Sequence, residues 1–337
     1  MAIVTGATKI TTRRNSRISE DDLQNIVSSY SFGRHCEDPT LDLNASRRYV
    51  LHTTRNYLSS CGIENNLPQC IEAIDADRQT VGILLLKMSH WDTNHFGYPC
   101  ASIDSILIKN AGYEERSRIA AALLAHLESW LQSKQVRFAS LRISALDLAV
   151  IHNLERHNFN FIESWVFNHL DTRKVKLADK PEPLRLATAA DKQVMLSYTK
   201  GAFDTQRFHA DTRVNRHKAD SLYQKWIETS FDDPNMRTLV LDVNSKPVAF
   251  MTYFEADLNE FFNFKVAMWK MALLDPESRG KGLGTRFFYA LSDYHSKEGL
   301  SIIDSGVSMR NLVSLNLHNK CGFKISSTLL TFHKWLC

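Results

Sequence analysis

Apolar and β-branched residues near the end of the chain predict a strand, a helix and a second strand. The strand candidates are residues 300–307 and 326–335, which are bounded by turn-forming residues. Residues 310–320, between them, have the length and composition of a short helix. Strands that alternate with helices predict a mixed α/β fold.

The first half of the chain repeats this order. Strands predicted over 136–144 and 162–170 enclose a helix predicted over 147–157. A single offset of 164 residues, the distance from Ser144 to Ser308, aligns the two series without a gap. Self-similarity at a fixed spacing indicates a duplicated unit. We therefore predict two copies of one α/β unit in tandem.

The domain bounds follow from length and from one charged segment. The chain has 337 residues, enough for two domains at about 100 to 200 residues each. Residues 174–184 are rich in charge and proline, which predicts a linker. We expect a first domain over 46–173, a second over 185–337, and a polar, partly mobile lead-in over 1–45.

Charge and composition exclude several classes of protein. The formal net charge is +4, from 41 basic and 37 acidic residues, which is too weak to predict a nucleic-acid partner. Apolar runs such as residues 83–86 are far shorter than the ~20 residues of a spanning helix. Without a leader-like N-terminus, the expected location is the cytoplasm. Neither the six cysteines nor His90 and His217 have metal-binding spacing, so no metal site is predicted.

A glycine-rich loop follows the strand predicted over 265–274 and precedes a helix. Glycines let the backbone approach a ligand, and the amides of a first helical turn attract an anion. Alternating glycines match neither a P-loop nor a dinucleotide-binding fingerprint. We therefore predict that the loop binds a phosphate group of a cofactor. The loop residues are Arg279, Gly280, Lys281, Gly282, Leu283, Gly284 and Thr285.

This loop resembles the signature of the GNAT superfamily of acyl-CoA-dependent N-acetyltransferases, Arg/Gln-x-x-Gly-x-Gly/Ala, at Arg279, Gly282 and Gly284. The family's second signature, an Asn, a helix and Tyr-x-x-x-Gly-Phe, is similar to the segment from Asn311 to Phe323. The resemblance implies tandem GNAT-like units with central mixed sheets flanked by helices, and acetyl-CoA as the acyl donor. In the first copy, Arg116, Arg118 and Ala120 replace the three glycines. We expect that copy to be degenerate and not to bind CoA.

The resemblance also implies where acetyl-CoA is held. The strand end at Ala272, Leu273 and Leu274 is expected to splay from its neighbour and to bind the pantetheine and the thioester oxygen through backbone amides. Asn311 is expected near the cofactor, and it can also cap the helix that it begins. Lys324 is a candidate phosphate ligand or a solvated lysine.

The position of the catalytic acid is predicted from the family, but the residue at this position differs from the family's tyrosine. The resemblance implies a proton donor to the departing thiolate at the family's tyrosine, and this position is His318. A histidine, with an ordinary pKa near 6.5, can donate a proton at neutral pH. The alternatives are that Tyr289, Tyr294 or water delivers the proton while His318 lines the channel.

The acceptor is predicted from three weaker local similarities. Residues 201–209, 222–227 and 91–97 are similar to nucleotide amino-sugar acetyltransferases of the dTDP-fucosamine type, which implies a place in cell-surface polysaccharide biosynthesis. Arg207 and His209 are candidate substrate ligands, because an arginine fork suits a diphosphate. The expected acceptor is the amine of a nucleotide sugar, held in a cleft between the two units.

Two alternatives stay open. One is acylation of an amino acid, peptide or natural-product amine. The other is a non-catalytic module that senses acyl-CoA. The sequence also leaves open the oligomeric state, a homodimer included.

Overall fold

The structure is a computed structural model. It describes residues 10–14, 18–62, 67–175 and 182–336. Residues 176–181 of the predicted linker, and residues 1–9 and 15–17 of the predicted lead-in, lie outside the described residues.

Strands and helices alternate along the chain, as the apolar pattern predicts. The elements up to the end of the first repeat are β1 (Thr11–Arg14), α1 (Glu20–Ser28), α2 (Leu43–Ser59), β2 (Gln69–Ile74), β3 (Thr80–Met88), α3 (His90–Phe96), β4 (Cys100–Ile108), α4 (Tyr113–Ser133), β5 (Phe138–Ser144), α5 (Leu148–Arg156) and β6 (Asn160–Asp171). Those that follow are β7 (Leu184–Leu186), α6 (Asp191–Ser197), α7 (Arg207–Ala210), α8 (Arg216–Ser230), β8 (Arg237–Val243), β9 (Lys246–Asp257), α9 (Asn259–Phe262), β10 (Lys265–Leu274), α10 (Leu283–Lys297), β11 (Ile302–Ser308), α11 (Leu312–Lys320) and β12 (Lys324–Trp335).

The described residues divide into two compact units. The first unit is Met1–Ile162 with Leu329–Cys337, and the second unit is Glu163–Thr328. In the first unit the strand order is β1-β2-β3-β4-β5 followed by the end of β12, and in the second it is β6-β11-β10-β9-β8-β7. The strands of each unit form both parallel and antiparallel pairs, since β4 pairs with β5, and β10 with β11, in parallel.

The predicted duplication is visible in the element bounds. β5 and β11, α5 and α11, and β6 and β12 each differ by 164 residues at both ends. The helices α4 and α10 end at the same offset, at Ser133 and Lys297. The buried face of α4 includes Leu123, Leu124 and Leu127, and that of α10 includes Phe287, Phe288 and Leu291. The two repeats therefore bury equivalent helix faces.

The last strand of each repeat pairs with a strand of the other repeat. Residues Trp165–Asp171 of β6 pair antiparallel with β11 of the second unit. Residues Leu329–Trp335 of β12 pair antiparallel with β5 of the first unit. The bounds of the units therefore differ from the predicted 46–173 and 185–337, because a linker marks where the repeats join covalently and not where their last strands pair.

Helix α1 lies within the predicted mobile lead-in, but it packs against the first unit. Ser19 caps α1 by accepting a hydrogen bond from the Asp22 amide, at the helix start that the sequence indicates. Leu23 and Ile26 of α1 are buried in one apolar cluster with Ile83 of β3. Helix α1 therefore belongs to the first unit.

The core of the second unit holds the elements that form the candidate site. Leu239, Tyr253, Ile303 and Phe287 are all nearly inaccessible to solvent and belong to one cluster. This packing fixes β10, α10 and β11 side by side. No helix within the described ranges is both long and apolar enough to span a bilayer.

Candidate active site

The strands β10 and β11 separate at the centre of the second unit. Their parallel pairing runs from Val266 and Ile302 to Trp269 and Ser305. Strand β10 then has an irregularity between Trp269 and Met271, while its antiparallel pairing with β9 continues to Leu274. The Met271 amide donates to Thr252 Oγ1 at 3.1 Å. A fork thus opens beyond Ser305, where the resemblance implies that β10 splays.

The glycine loop lies between β10 and α10. Gly280 and Gly282 have φ of 74° and 77°, in the left-handed region that favours glycine. Gly282 is the N-cap of α10, and it has no side chain to bond the first-turn amides. A Cβ at either glycine would enter open space. The loop therefore presents unshielded helix amides, and its flanking side chains Arg279 and Lys281 are exposed.

Gly284 has a different role from the other two glycines. It lies within α10, and a Cβ there would come 3.3 Å from Leu317 Cδ2 of α11. Its lack of a side chain lets α10 and α11 approach each other. The first two glycines set the backbone conformation of the loop, and the third sets the packing behind it.

A pocket with a volume of about 120 Å³ occupies the fork, and all its lining residues belong to the second unit. Its lining combines aromatic rings with polar groups of β11 and α11. We call the rings of Trp165, Phe203, Tyr223 and Trp226 the aromatic wall. The lining residues are Trp165, Ala202, Phe203, Gln206, Tyr223, Trp226, Met251, Trp269, Lys270, Met271, Ala272, Phe288, Ser305, Gly306, Val307, Asn311, Ser314 and His318.

His318 lies at the inner end of the pocket and is 2% exposed. Its Nδ1 is 2.7 Å from the Ser314 carbonyl oxygen, and its Nε2 is 2.9 Å from Ser305 Oγ. The rings of Phe288 and Phe323 pack edge-on against it, with centroids 4.9 Å and 4.8 Å away. Burial lowers the pKa of His318, and the Ser314 carbonyl opposes this in part. The imidazole is therefore neutral at neutral pH.

Only some of the other predicted cofactor residues line the pocket. Asn311 caps α11, its Oδ1 accepting from the Ser314 amide at 3.1 Å, and it also lines the pocket. Of the strand-end residues, Ala272 lines the pocket, whereas Leu273 is buried and Leu274 packs on the core. Lys324 is exposed at the start of β12 and is not a lining residue.

The two predicted substrate ligands do not line the pocket. The Arg207 guanidinium lies over the Phe208 ring, with its carbon 4.5 Å from the centroid. The His209 side chain is 1% exposed, and its Nε2 is 2.8 Å from Asp220 Oδ1. Its ring stacks on Tyr223 at 5.7 Å, and Tyr223 stacks on Phe203 at 4.3 Å. His209 thus supports the aromatic wall from behind.

Several lining residues were not predicted from the sequence, and Ser305 and Trp165 are the two that matter most for the site. A Cβ on Gly306 would lie 2.2 Å from Trp165 Nε1, so the indole packs directly on this glycine. A glycine inside a strand signals such a close approach, but not which side chain makes it. Trp165 comes from β6, which the sequence assigns to the other repeat.

Asp204, His209 and Asp220 form a cluster outside the pocket. Their potential ligand atoms all lie within 4.8 Å of one another. Arg216 already supplies positive charge there, since its guanidinium is 2.8 Å from Asp204 Oδ1 and 3.8 Å from Asp220 Oδ1. An arginine that pairs with both carboxylates satisfies the cluster as an ion-pair network.

The family comparison matches this site. The model of the acetyltransferase (GNAT) family matches residues 201–323, which include Phe203, Tyr223 and Trp226 of the pocket, the fork, the glycine loop and His318. Residues 201–323 are thus similar to GNAT acetyltransferase domains. We call this segment the GNAT domain. The prediction of an acyltransferase that uses acetyl-CoA is confirmed at this level.

Individual relatives support the same family. An uncharacterised N-acetyltransferase of Methanocaldococcus jannaschii is 30% identical over 105 residues, 30% of this chain and 44% of that protein. The chain thus spans less than half of that relative. An L-amino acid N-acyltransferase of Escherichia coli is 23% identical over 166 residues, 48% of this chain and 88% of that protein.

Solved structures show the tandem arrangement. A tandem GNAT protein from the clavulanic acid biosynthesis pathway has a TM-score of 0.56 at 11% identity, over 97% of this chain and 98% of that one. The predicted fold of tandem GNAT-like units is therefore confirmed. The similarity to nucleotide amino-sugar acetyltransferases stays a prediction.

In the first unit, side chains fill the region that corresponds to the cofactor site. Helix α4 begins at Tyr113, so the position equivalent to Gly280, Arg116, lies inside a helix. Arg116 is 4% exposed and donates to the Ile108 and Lys109 carbonyls and to Asp147. Asp147 is equivalent to Asn311 at the offset of 164 residues. A buried ion pair stands where the GNAT domain has its open loop.

Proposed function

We propose that the GNAT domain transfers the acetyl group of acetyl-CoA to the amine of a nucleotide-linked amino sugar by direct attack on the thioester. The observation that carries this proposal is one pocket that is lined by the aromatic wall, the strand fork, Asn311 and His318. Such a pocket can hold a ring-shaped acceptor against the thioester of a cofactor that enters through the fork.

The cofactor side rests on the loop and the fork. The amides at the start of α10, with Arg279 and Lys281 beside them, provide positive potential for the pyrophosphate. We assign phosphate binding to the loop from Arg279 to Thr285, with Lys324 as an outer contact. The backbone from Ala272 to Leu274 would bind the pantetheine, with Asn311 beside the thioester.

The acceptor side rests on the aromatic rings. Phe203, Tyr223 and Trp226 come from two of the three segments that resemble the sugar-specific enzymes, and all three residues line the pocket. Aromatic faces pack on the apolar faces of ring-shaped ligands. Among the described lining residues none carries a carboxylate, which favours an acceptor that binds as a neutral amine. Arg207 and His209 act in this proposal at the entrance and behind the wall, respectively.

A second candidate function is N-acylation of an amino acid. The Escherichia coli relative is named for that activity. The pocket volume of about 120 Å³ suits a small acceptor, and Lys270 in its lining can pair with a carboxylate. A sugar acceptor must instead extend its nucleotide beyond the pocket.

Thiol release from acetyl-CoA distinguishes these functions. The protein is incubated with acetyl-CoA and a dTDP-linked amino sugar, a set of L-amino acids, or no amine, and free CoA is measured. Release that depends on the amino sugar supports the proposal, and release that depends on an amino acid supports the second candidate. Binding of acetyl-CoA without release for any amine would contradict both and indicate a sensor.

A further inference from the structure

We propose that Ser305 is a second catalytic residue, whose hydroxyl relays the proton of the attacking amine to His318 and returns it to the CoA thiolate. This inference rests on the proposed function, because it requires an amine acceptor and a thioester in the same pocket. It names a residue of β11 that neither signature of the family includes.

The hydrogen bonds around His318 fix the direction of the relay. The Ser314 carbonyl oxygen can only accept, so His318 Nδ1, 2.7 Å away, carries the ring proton. In the neutral ring Nε2 then has a free lone pair, which accepts from the Ser305 hydroxyl at 2.9 Å. A nucleophile or relay oxygen, a base and a group that orients the base thus stand in series.

The position of Ser305 gives the relay access to the reacting atoms. Ser305 is the last residue of β11 that pairs with β10, directly before the fork opens. Trp269, Phe288 and Phe323 surround the His318 ring. Ser305 and His318 line the pocket although they are only 7% and 2% exposed. The hydroxyl therefore stands between the buried base and the point where a thioester would enter.

The duplicated unit offers an internal comparison. At the offset of 164 residues, Ser305 corresponds to Leu141 and His318 to Leu154. Leu141 holds the same place in its strand, as the last residue paired with β4, opposite Ile103. Both leucines are buried. The fold therefore tolerates an apolar pair at these two positions, and the polar pair occurs in the copy that has the glycine loop.

The proton that leaves the amine ends on the CoA thiolate, and no other proton donor or acceptor is needed. The amine nitrogen forms a bond to the thioester carbon and becomes cationic. It gives a proton to Ser305 Oγ while the Ser305 proton moves to His318 Nε2. When the carbon–sulfur bond breaks, the thiolate takes the proton of the Ser305 hydroxyl and His318 restores it. The products are the acetamide and CoA, and both residues return to their initial state.

The environment of the His318 ring agrees with a residue that first accepts a proton as a base and then returns it as an acid. Burial lowers the pKa of His318, so the resting ring is neutral and ready to accept a proton. The ring carries a positive charge only between the two proton transfers of the relay.

Substitution of Ser305 tests the relay, with the acceptor that the wild-type protein uses best. For Ser305→Ala we expect kcat to fall about 100-fold or more, the typical contribution of a proton-transfer group. The KM for acetyl-CoA and its affinity by calorimetry should stay within about threefold, because the cofactor's phosphates bind elsewhere. Ser305→Thr, which keeps the hydroxyl, should recover a large part of kcat.

The matched control is Ser292→Ala. Ser292 is a buried serine of α10 whose hydroxyl donates to the Phe288 carbonyl of its own helix, and its removal should leave kcat unchanged. A Ser305→Ala variant with near wild-type kcat would overturn the relay, as would an acetyl ester on Ser305 found by mass spectrometry. A wild-type protein that acetylates no amine would instead overturn the proposed function, so the two failures are distinguishable.

Discussion

The histidine at position 318 changes which protonation state the reaction needs. A tyrosine at this place starts protonated and donates directly. His318 starts neutral, because burial lowers its pKa below the ordinary value of about 6.5. As a base it is active above that pKa and inactive below it. A general acid at the same position would show the reverse dependence.

The pH profile of His318→Gln relative to wild type tests this point. We expect the ratio of wild-type to variant kcat/KM to be constant near neutral pH and to fall by about tenfold per pH unit below the pKa of His318, somewhere under pH 6.5. The ratio cancels the titration of the acceptor amine itself. Among the described residues, no charged side chain contributes to the His318 shift, so one inflection is expected. A ratio that rises as the pH falls would identify His318 as a resting acid.

Single residues of the site were predictable where a backbone requirement shows in the sequence. Gly280 and Gly282 are examples, because a positive φ before a helix restricts the residue type. Ser305 was not predictable, because a serine in a buried strand has no distinct pattern until a partner such as His318 is placed beside it. Arg207 and His209 were expected to touch the acceptor, but a linear motif does not state which way a short helix turns its side chains.

Among the elements, the glycine loop is the one whose conformation and function can be separated by substitution. For Gly282→Glu we expect acetyl-CoA affinity to fall by about 100-fold or more, because a carboxylate would stand at the helix terminus that should bind the pyrophosphate. Isothermal titration calorimetry measures this directly. The matched control is Gly282→Asn, which tolerates a positive φ and adds no charge. It should bind within about tenfold of wild type, whereas equal affinities for both variants would contradict the role of the loop.

The bounds of the elements around the site followed closely from local patterns. The strand predicted over 265–274 is β10 without a shift, and the helix predicted over 310–320 begins two residues later, after its Asn311 cap. Local spacing predicts such elements because each buries one face. It does not predict that Trp165 in β6 pairs with Ser308 in β11, since strands of similar composition can pair with either repeat. The sequence therefore did not predict that Trp165 contributes a ring to the aromatic wall.

At the scale of the whole chain, one fold is present twice, and among the described residues only the second copy has a glycine loop before its helix. The first unit keeps the element order but encloses the Arg116–Asp147 ion pair, at 2.6 Å, and places leucines at the positions of Ser305 and His318. A buried pair of this kind is costly to separate. In the first unit, side chains therefore occupy the region that corresponds to the glycine loop.

The stoichiometry of acetyl-CoA binding tests this account most directly. In a calorimetric titration of the full chain we predict one acetyl-CoA per chain. This one site should be in the second unit, since only that unit has the glycine loop. A stoichiometry of two would show that the first unit also binds the cofactor, and no binding at all would contradict the assignment of the GNAT domain as the acetyl-CoA site.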